Sequence, residues 1–173
     1  MIKSKSFSIK FIGLKDGKHS FKFPLSKSFF ELFNYLDFNS VDIVIEIELV
    51  KKSTILELNF KGSGSVNINC TLTNEPFDYD IRTNLDLLVK FGEMFDDEND
   101  ELLVLPHGSH SIELDQYFYE MTVLSMPIRN VHPDVEKGTL NSEILNRLKE
   151  FDINKEKNSN FDPRWSKLKE LKK

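Results

Sequence analysis

The sequence predicts an α+β fold: a curved antiparallel sheet or partly closed β-barrel, with a few short helices that include helices at the C-terminal end. Three observations predict it. Successive segments between residues 6 and 91 alternate apolar and polar side chains, the period of half-buried strands. Short turn-forming stretches separate them, so neighbouring strands pair as a meander. Later segments, 112–124 and 140–148, bring apolar residues round at helical spacing. The chain has 173 residues, 39% of them hydrophobic, with 15 phenylalanines. At that size a compact fold buries roughly 70% of the surface its unfolded chain exposes. Such burial offsets chain entropy without a disulfide or a metal.

The elements follow in order. Residues 6–11 alternate, as do 19–23, and Asp16-Gly17 between them is a hairpin signal, because glycine tolerates the positive φ of a tight turn. Phe29, Phe30, Leu32, Phe33 and Leu36 share one broad helical face, with Ser26 or Ser28 as its cap. Residues 41–47 and 55–60 are strands joined near Ser53. Gly62-Ser63-Gly64 breaks the pattern, and Val66, Ile68 and Cys70 resume it. Phe77 opens a further strand that continues through 85–91. Residues 93–101 hold six carboxylates and no basic residue, and read as a mobile loop. Residues 102–105 are a short buried strand. Over 112–124, Leu114, Tyr117, Phe118, Met121 and Leu124 form one helix face, with Ser111 as cap and Pro127 ending the helix.

The tail differs in character, which divides the chain into a β-rich domain over 1–135 and a basic helical extension over 136–173. Leu140, Ile144, Leu145 and Leu148 mark an amphipathic helix with Arg147 and Lys149 outside. A polar, lysine-rich linker over 154–160 follows. Asp162 and Pro163 then place a cap and a first-turn proline ahead of Trp165, Leu168 and Leu171.

Charge narrows the function. A net charge of −5 argues against coating nucleic acid by charge alone. Basic residues nevertheless gather at both ends around an acidic middle, which leaves room for a local positive surface. The N-terminal residues carry charge but no apolar stretch of signal-peptide length, and no apolar run is long enough to cross a bilayer. The expected compartment is the cytoplasm.

Catalytic chemistry finds no foothold. His107 and His110 stand three apart, a metal-ligand spacing, but Pro106 and Gly108 make that stretch a loop and no carboxylate signature accompanies it. Cys70, the one cysteine, lies on an alternating face where it behaves as a small buried hydrophobe. Gly62 to Ser65 lacks the pattern of a phosphate cradle. No nucleophile elbow, zinc-protease pair or dinucleotide fingerprint occurs, so the chain is expected to be no enzyme, with no cofactor and no metal.

Three stretches together resemble the YceD family, whose members are known as large ribosomal RNA subunit accumulation proteins. The first is the strand from Gly64 to Thr73 followed by Phe77-Asp78-Tyr79-Asp80-Ile81. The second runs from Ile112-Glu113-Leu114 through Glu120 to Met126-Pro127-Ile128-Arg129. The third is Asp162-Pro163-Arg164-Trp165-Ser166-Lys167-Leu168. The likeness runs from about Phe7 to Leu171, and is greatest to a branch lacking most of the family's cysteines. Many members carry C-x-x-C where this chain has Cys70 and Thr73, and a cysteine cluster where it has residues 132–138. The resemblance implies metal binding in those relatives; one thiol with one His is a poor zinc site here.

The resemblance implies a role in the accumulation of large-subunit ribosomal RNA. The expected partner is that RNA or a pre-ribosomal particle, with a ribosomal protein as a further candidate; no DNA and no membrane partner is expected. In one reading Arg129, Lys137, Arg147, Lys149, Arg164, Trp165 and Lys167 form the contact surface, cations on phosphates and Trp165 stacked on an unpaired base. Trp165 has a second reading, as the residue that pins its short helix. In the other functional reading the chain is a protein-binding adaptor, docking through its C-terminal helix or its acidic loop without touching RNA.

Overall fold

The computed structural model describes residues 6–139 and 143–150. The chain divides into two compact units, one ending at His132 and one beginning at Pro133. In the first, β2 (Gly17–Ser26), β3 (Ser40–Lys51), β4 (Ile55–Asn69) and β5 (Pro76–Gly92) pair consecutively and antiparallel. β6 (Asp96–Asn99) and β7 (Leu102–Pro106) complete a six-stranded sheet in the order β2-β3-β4-β5-β7-β6. β7 runs parallel to β5, so the sheet is mixed rather than wholly antiparallel. β1 (Ser8–Lys10) pairs instead with β8 (Ser111–Glu113) in a small separate sheet. β2 and β6 therefore remain as edges, and the sheet does not close into a barrel.

Alternation decides which face is covered. Ile43, Ile45, Ile47 and Leu49 on β3 lie opposite Leu58, Phe60 and the two glycines of β4, and all four isoleucine and leucine side chains are fully buried. Leu87 and Val89 extend that face along β5. Helices α1 (Lys27–Glu31) and α2 (Asp115–Leu124) supply Phe29, Phe30, Phe118 and Met121 to the core. The phenylalanines meet one another there: Phe7 packs at 5.6 Å on Phe23, Phe29 and Phe118, and Phe30 lies 5.0 Å from Phe38 edge to face. The opposite face is polar, with Lys18–Glu48 and Lys22–Glu46 ion pairs and Asn67 donating to Asp78. The second unit contains α3 (Pro133–Glu136) and α4 (Glu143–Glu150).

Five expectations are corrected. Asp16-Gly17 does not turn β1 into β2; Gly17, at φ 127°, opens β2, and β1 finds its partner about a hundred residues later. Phe11 N–H donates to the carbonyl of His110 and Phe7 N–H to Asp115 Oδ1 at 2.7 Å, which ties β1 to β8 and to the start of α2. Gly62-Ser63-Gly64 is not a break but the middle of β4. A Cβ on Gly64 would stand 2.1 Å from the Asp42 carbonyl oxygen, so the glycine permits a close backbone approach between β3 and β4. Residues 96–99 of the acidic run form β6, exposed at every position and paired with β7. Ser111 belongs to β8; Leu114 holds the N-cap position of α2, and Leu124 at its far end is 83% exposed. The α1 helix is one short turn ended by Asn34 in the left-handed region, which leaves Leu32 and Leu36 exposed; Ser26 holds its N-cap position without a side-chain cap bond.

Candidate functional site

Two places in the first unit gather polar groups. One is built by the loop after β4. Asn74, at φ 59°, returns the chain so that Asn74 N–H donates to the Cys70 carbonyl and Cys70 N–H to that of Glu75, both within 2.9 Å. The segment after Pro127 lies against this loop. Thr71 gives its N–H and its hydroxyl to the carbonyl of Asn130 at 2.8 and 3.0 Å. His132 N–H donates to Cys70 Sγ at 3.3 Å, and the His132 ring meets Phe77 edge-on at 5.3 Å. Burial pushes the Cys70 thiol up, but the Thr73 side chain and the N–H groups of His132, Leu72 and Thr73 more than offset this and hold it at about 7, below its ordinary 9.0. Cys70 is thus more than a small hydrophobe: its sulfur is the acceptor on which two segments converge.

These are the two segments at which the resemblance implies metal-binding cysteines. The residues present do not fit such an ion. They offer one sulfur, Thr73 is buried but a neutral hydroxyl, and no group of three or more His, Cys, Asp or Glu residues converges among the described residues. The junction is held by hydrogen bonds and packing.

The second place is a cleft of about 940 Å³ between α2 and the β5–β7 end of the sheet. Its floor is Leu85, Leu103, Leu105 and Met121. Helix α2 comes close to the sheet because Gly62 leaves space beneath it: a Cβ there would lie 2.6 Å from Thr83 Cγ2, and Thr83 donates its hydroxyl to the Met121 carbonyl at 3.0 Å. Phe95, 56% exposed, and Leu124 also line it. Asp97, Asp100, Glu113 and Glu120 supply the charge, and among the described residues no lysine, arginine or histidine lines the cleft. Burial first, then the carboxylates of Asp97 and Glu120, hold the Tyr117 phenol above its ordinary value. Both carboxylates therefore act on the same point of the cleft wall.

The basic residues expected to form a contact surface are spread over both units. Arg129 is exposed in the segment after α2, in the first unit. Lys137 is exposed in the turn after α3, and Arg147 is exposed on α4, which also carries Lys149 in its backbone. Arg164, Trp165 and Lys167 lie outside the described residues. His107 and His110 are exposed. No helix among the described residues is long and apolar enough to cross a membrane.

Comparison with curated proteins gives no match, and neither does comparison with solved structures. A family model described as large ribosomal RNA subunit accumulation protein YceD matches residues 58–172. The expected likeness from Phe7 onward is wider than this match, which begins inside β4. The match spans well over half of the chain and includes both segments that meet at Cys70. The chain therefore belongs to the YceD family of large ribosomal RNA subunit accumulation proteins.

Proposed function

We propose that this chain promotes the accumulation of large-subunit ribosomal RNA as a non-enzymatic, cytoplasmic factor that docks a protein of the pre-ribosomal particle. The observation that carries this is the sign of the charge in the cleft: four carboxylates and, among the described residues, no basic lining residue. A phosphate backbone would meet like charge there, whereas a basic protein segment would meet opposite charge. Phe23 of β2 and Phe60 of β4 lie on the covered face against Phe118, where they are closed to a stacking base. A second reading, direct RNA contact through the basic residues beyond Pro133, is favoured by the exposure of Lys137 and Arg147. Affinity capture from native lysate, with and without nuclease, tests the two. Docking predicts a discrete protein partner in near-stoichiometric amount that survives nuclease treatment. Loss of every captured protein after nuclease, with capture of ribosomal RNA before it, would replace docking by the RNA reading.

A further inference from the structure

We infer that the cleft between α2 and β7 seats a short amphipathic segment of the partner, its apolar residues on the floor and its lysine or arginine residues against the rim. This deepens the docking reading and rests on it. Leu85, Leu103, Leu105 and Met121 supply the apolar part of a lining that also holds Thr83, Asn84, Ser109 and Gln116. Phe95 and Leu124 also line the cleft, and stand in water at 56% and 83% exposure. Exposed large apolar side chains on a concave surface are what a docking groove presents before its occupant arrives.

The charges specify the occupant's sign. Three carboxylates of the first unit are answered by lysines within the chain: Glu48 by Lys18, Glu46 by Lys22, Glu57 by Lys52. The four around the cleft are not. Among the described residues Asp97, Asp100, Glu113 and Glu120 make no ion pair, and Glu120 accepts only from the neutral Gln116 amide. All four are exposed. An incoming ammonium or guanidinium group therefore pairs with carboxylates that need not leave another partner. Size agrees: a helix about 10 Å across rises about 1.5 Å per residue, so a volume of about 940 Å³ holds roughly two turns.

The probe is a fluorescently labelled twelve-residue peptide of alternating leucine pairs and lysine pairs, titrated with the full chain and followed by anisotropy. The control is the same peptide with glutamate for lysine. Saturable one-to-one binding of the lysine peptide is expected, with binding by the glutamate peptide at least tenfold weaker. Asp97→Asn, Asp100→Asn, Glu113→Gln and Glu120→Gln combined should weaken binding at least tenfold and flatten its salt dependence. Leu124→Ser should weaken it severalfold at unchanged salt slope. Equal binding of both peptides, no effect of the four neutral substitutions, or self-association of the chain that the lysine peptide does not disperse would each overturn the inference. The four-substitution variant is also carried through the nuclease-treated capture. If the native partner is kept, docking stands and the cleft is not its seat; if the unsubstituted chain itself captures no protein, the docking reading has failed first. Melting temperature within a degree or two of the parent confirms that each variant is folded.

Discussion

The Cys70 junction and the acidic cleft belong to the same unit and use polar groups in opposite ways. At the junction, backbone carbonyl, hydroxyl and thiol groups are paired with one another and cross-link two segments distant in sequence, with the buried Asn130 Oδ1 left without a partner among the described residues. At the cleft, carboxylates with no cationic partner among the described residues stand beside apolar side chains and face water. The difference teaches what each is for. Groups that answer each other stabilise the fold and have nothing to offer a ligand, whereas groups that wait for a partner add little stability and carry specificity.

Two faces of α2 give the sharpest contrast and the largest expected effect. Phe118 is fully buried against Phe7, Phe23 and Phe60, and Phe118→Ala should cost about 3–5 kcal/mol. Leu124→Ala, in the cleft lining, should fall within about 0.5 kcal/mol. Urea unfolding of both variants checks this, and a large loss at Leu124 would show that side chain to be part of the core.

The junction comes next. Cys70→Ala removes the acceptor of the His132 N–H and should destabilise by about 1–3 kcal/mol, while a strong chelator should leave the melting temperature unchanged. Stoichiometric bound zinc, or a large fall in melting temperature with chelator, would mean that metal rather than hydrogen bonding closes the junction.

The smallest effect is a pH dependence. The thiol's folded value, about 7, lies below its ordinary 9.0. Between those values the unfolded chain binds more protons than the folded one, so stability rises with pH across that window. The contribution is complete above the unfolded value and is lost as pH falls through the folded one. The difference in unfolding free energy between the parent chain and Cys70→Ala should grow from pH 7 to pH 9. A flat difference would return Cys70 to the role of an inert hydrophobe.

The central strands were legible because each has one buried face, and alternation marks such a strand wherever its partners lie. β6 was not, since all of its residues are exposed and no apolar side chain betrays it. The pairing of Ile9 with Ile112 was equally invisible: nothing local to Asp16-Gly17 says that a better partner comes a hundred residues on. Gly62 and Gly64 have two uses, turning the chain or letting backbone and side chains approach, and only the packed neighbours Asp42 and Thr83 decide between them. The acidic run was readable as a docking face for a basic partner. The cleft was not, because its other wall, α2, and its floor come from segments that only the fold brings together. The junction's two halves were visible separately as the places where family cysteines are replaced; their contact through Cys70 and Asn130 was not.

The β1–β8 pairing has a consequence for how the molecule is made. Chains emerge during synthesis at about 5–20 residues per second, so β1 waits on the order of ten seconds for the strand and the Asp115 carboxylate that receive it. Until then Ile9 and Phe11, almost wholly buried in the finished unit, lack the strand that covers them. The β1–β8 pairing therefore cannot precede synthesis of residue 113 and the start of α2.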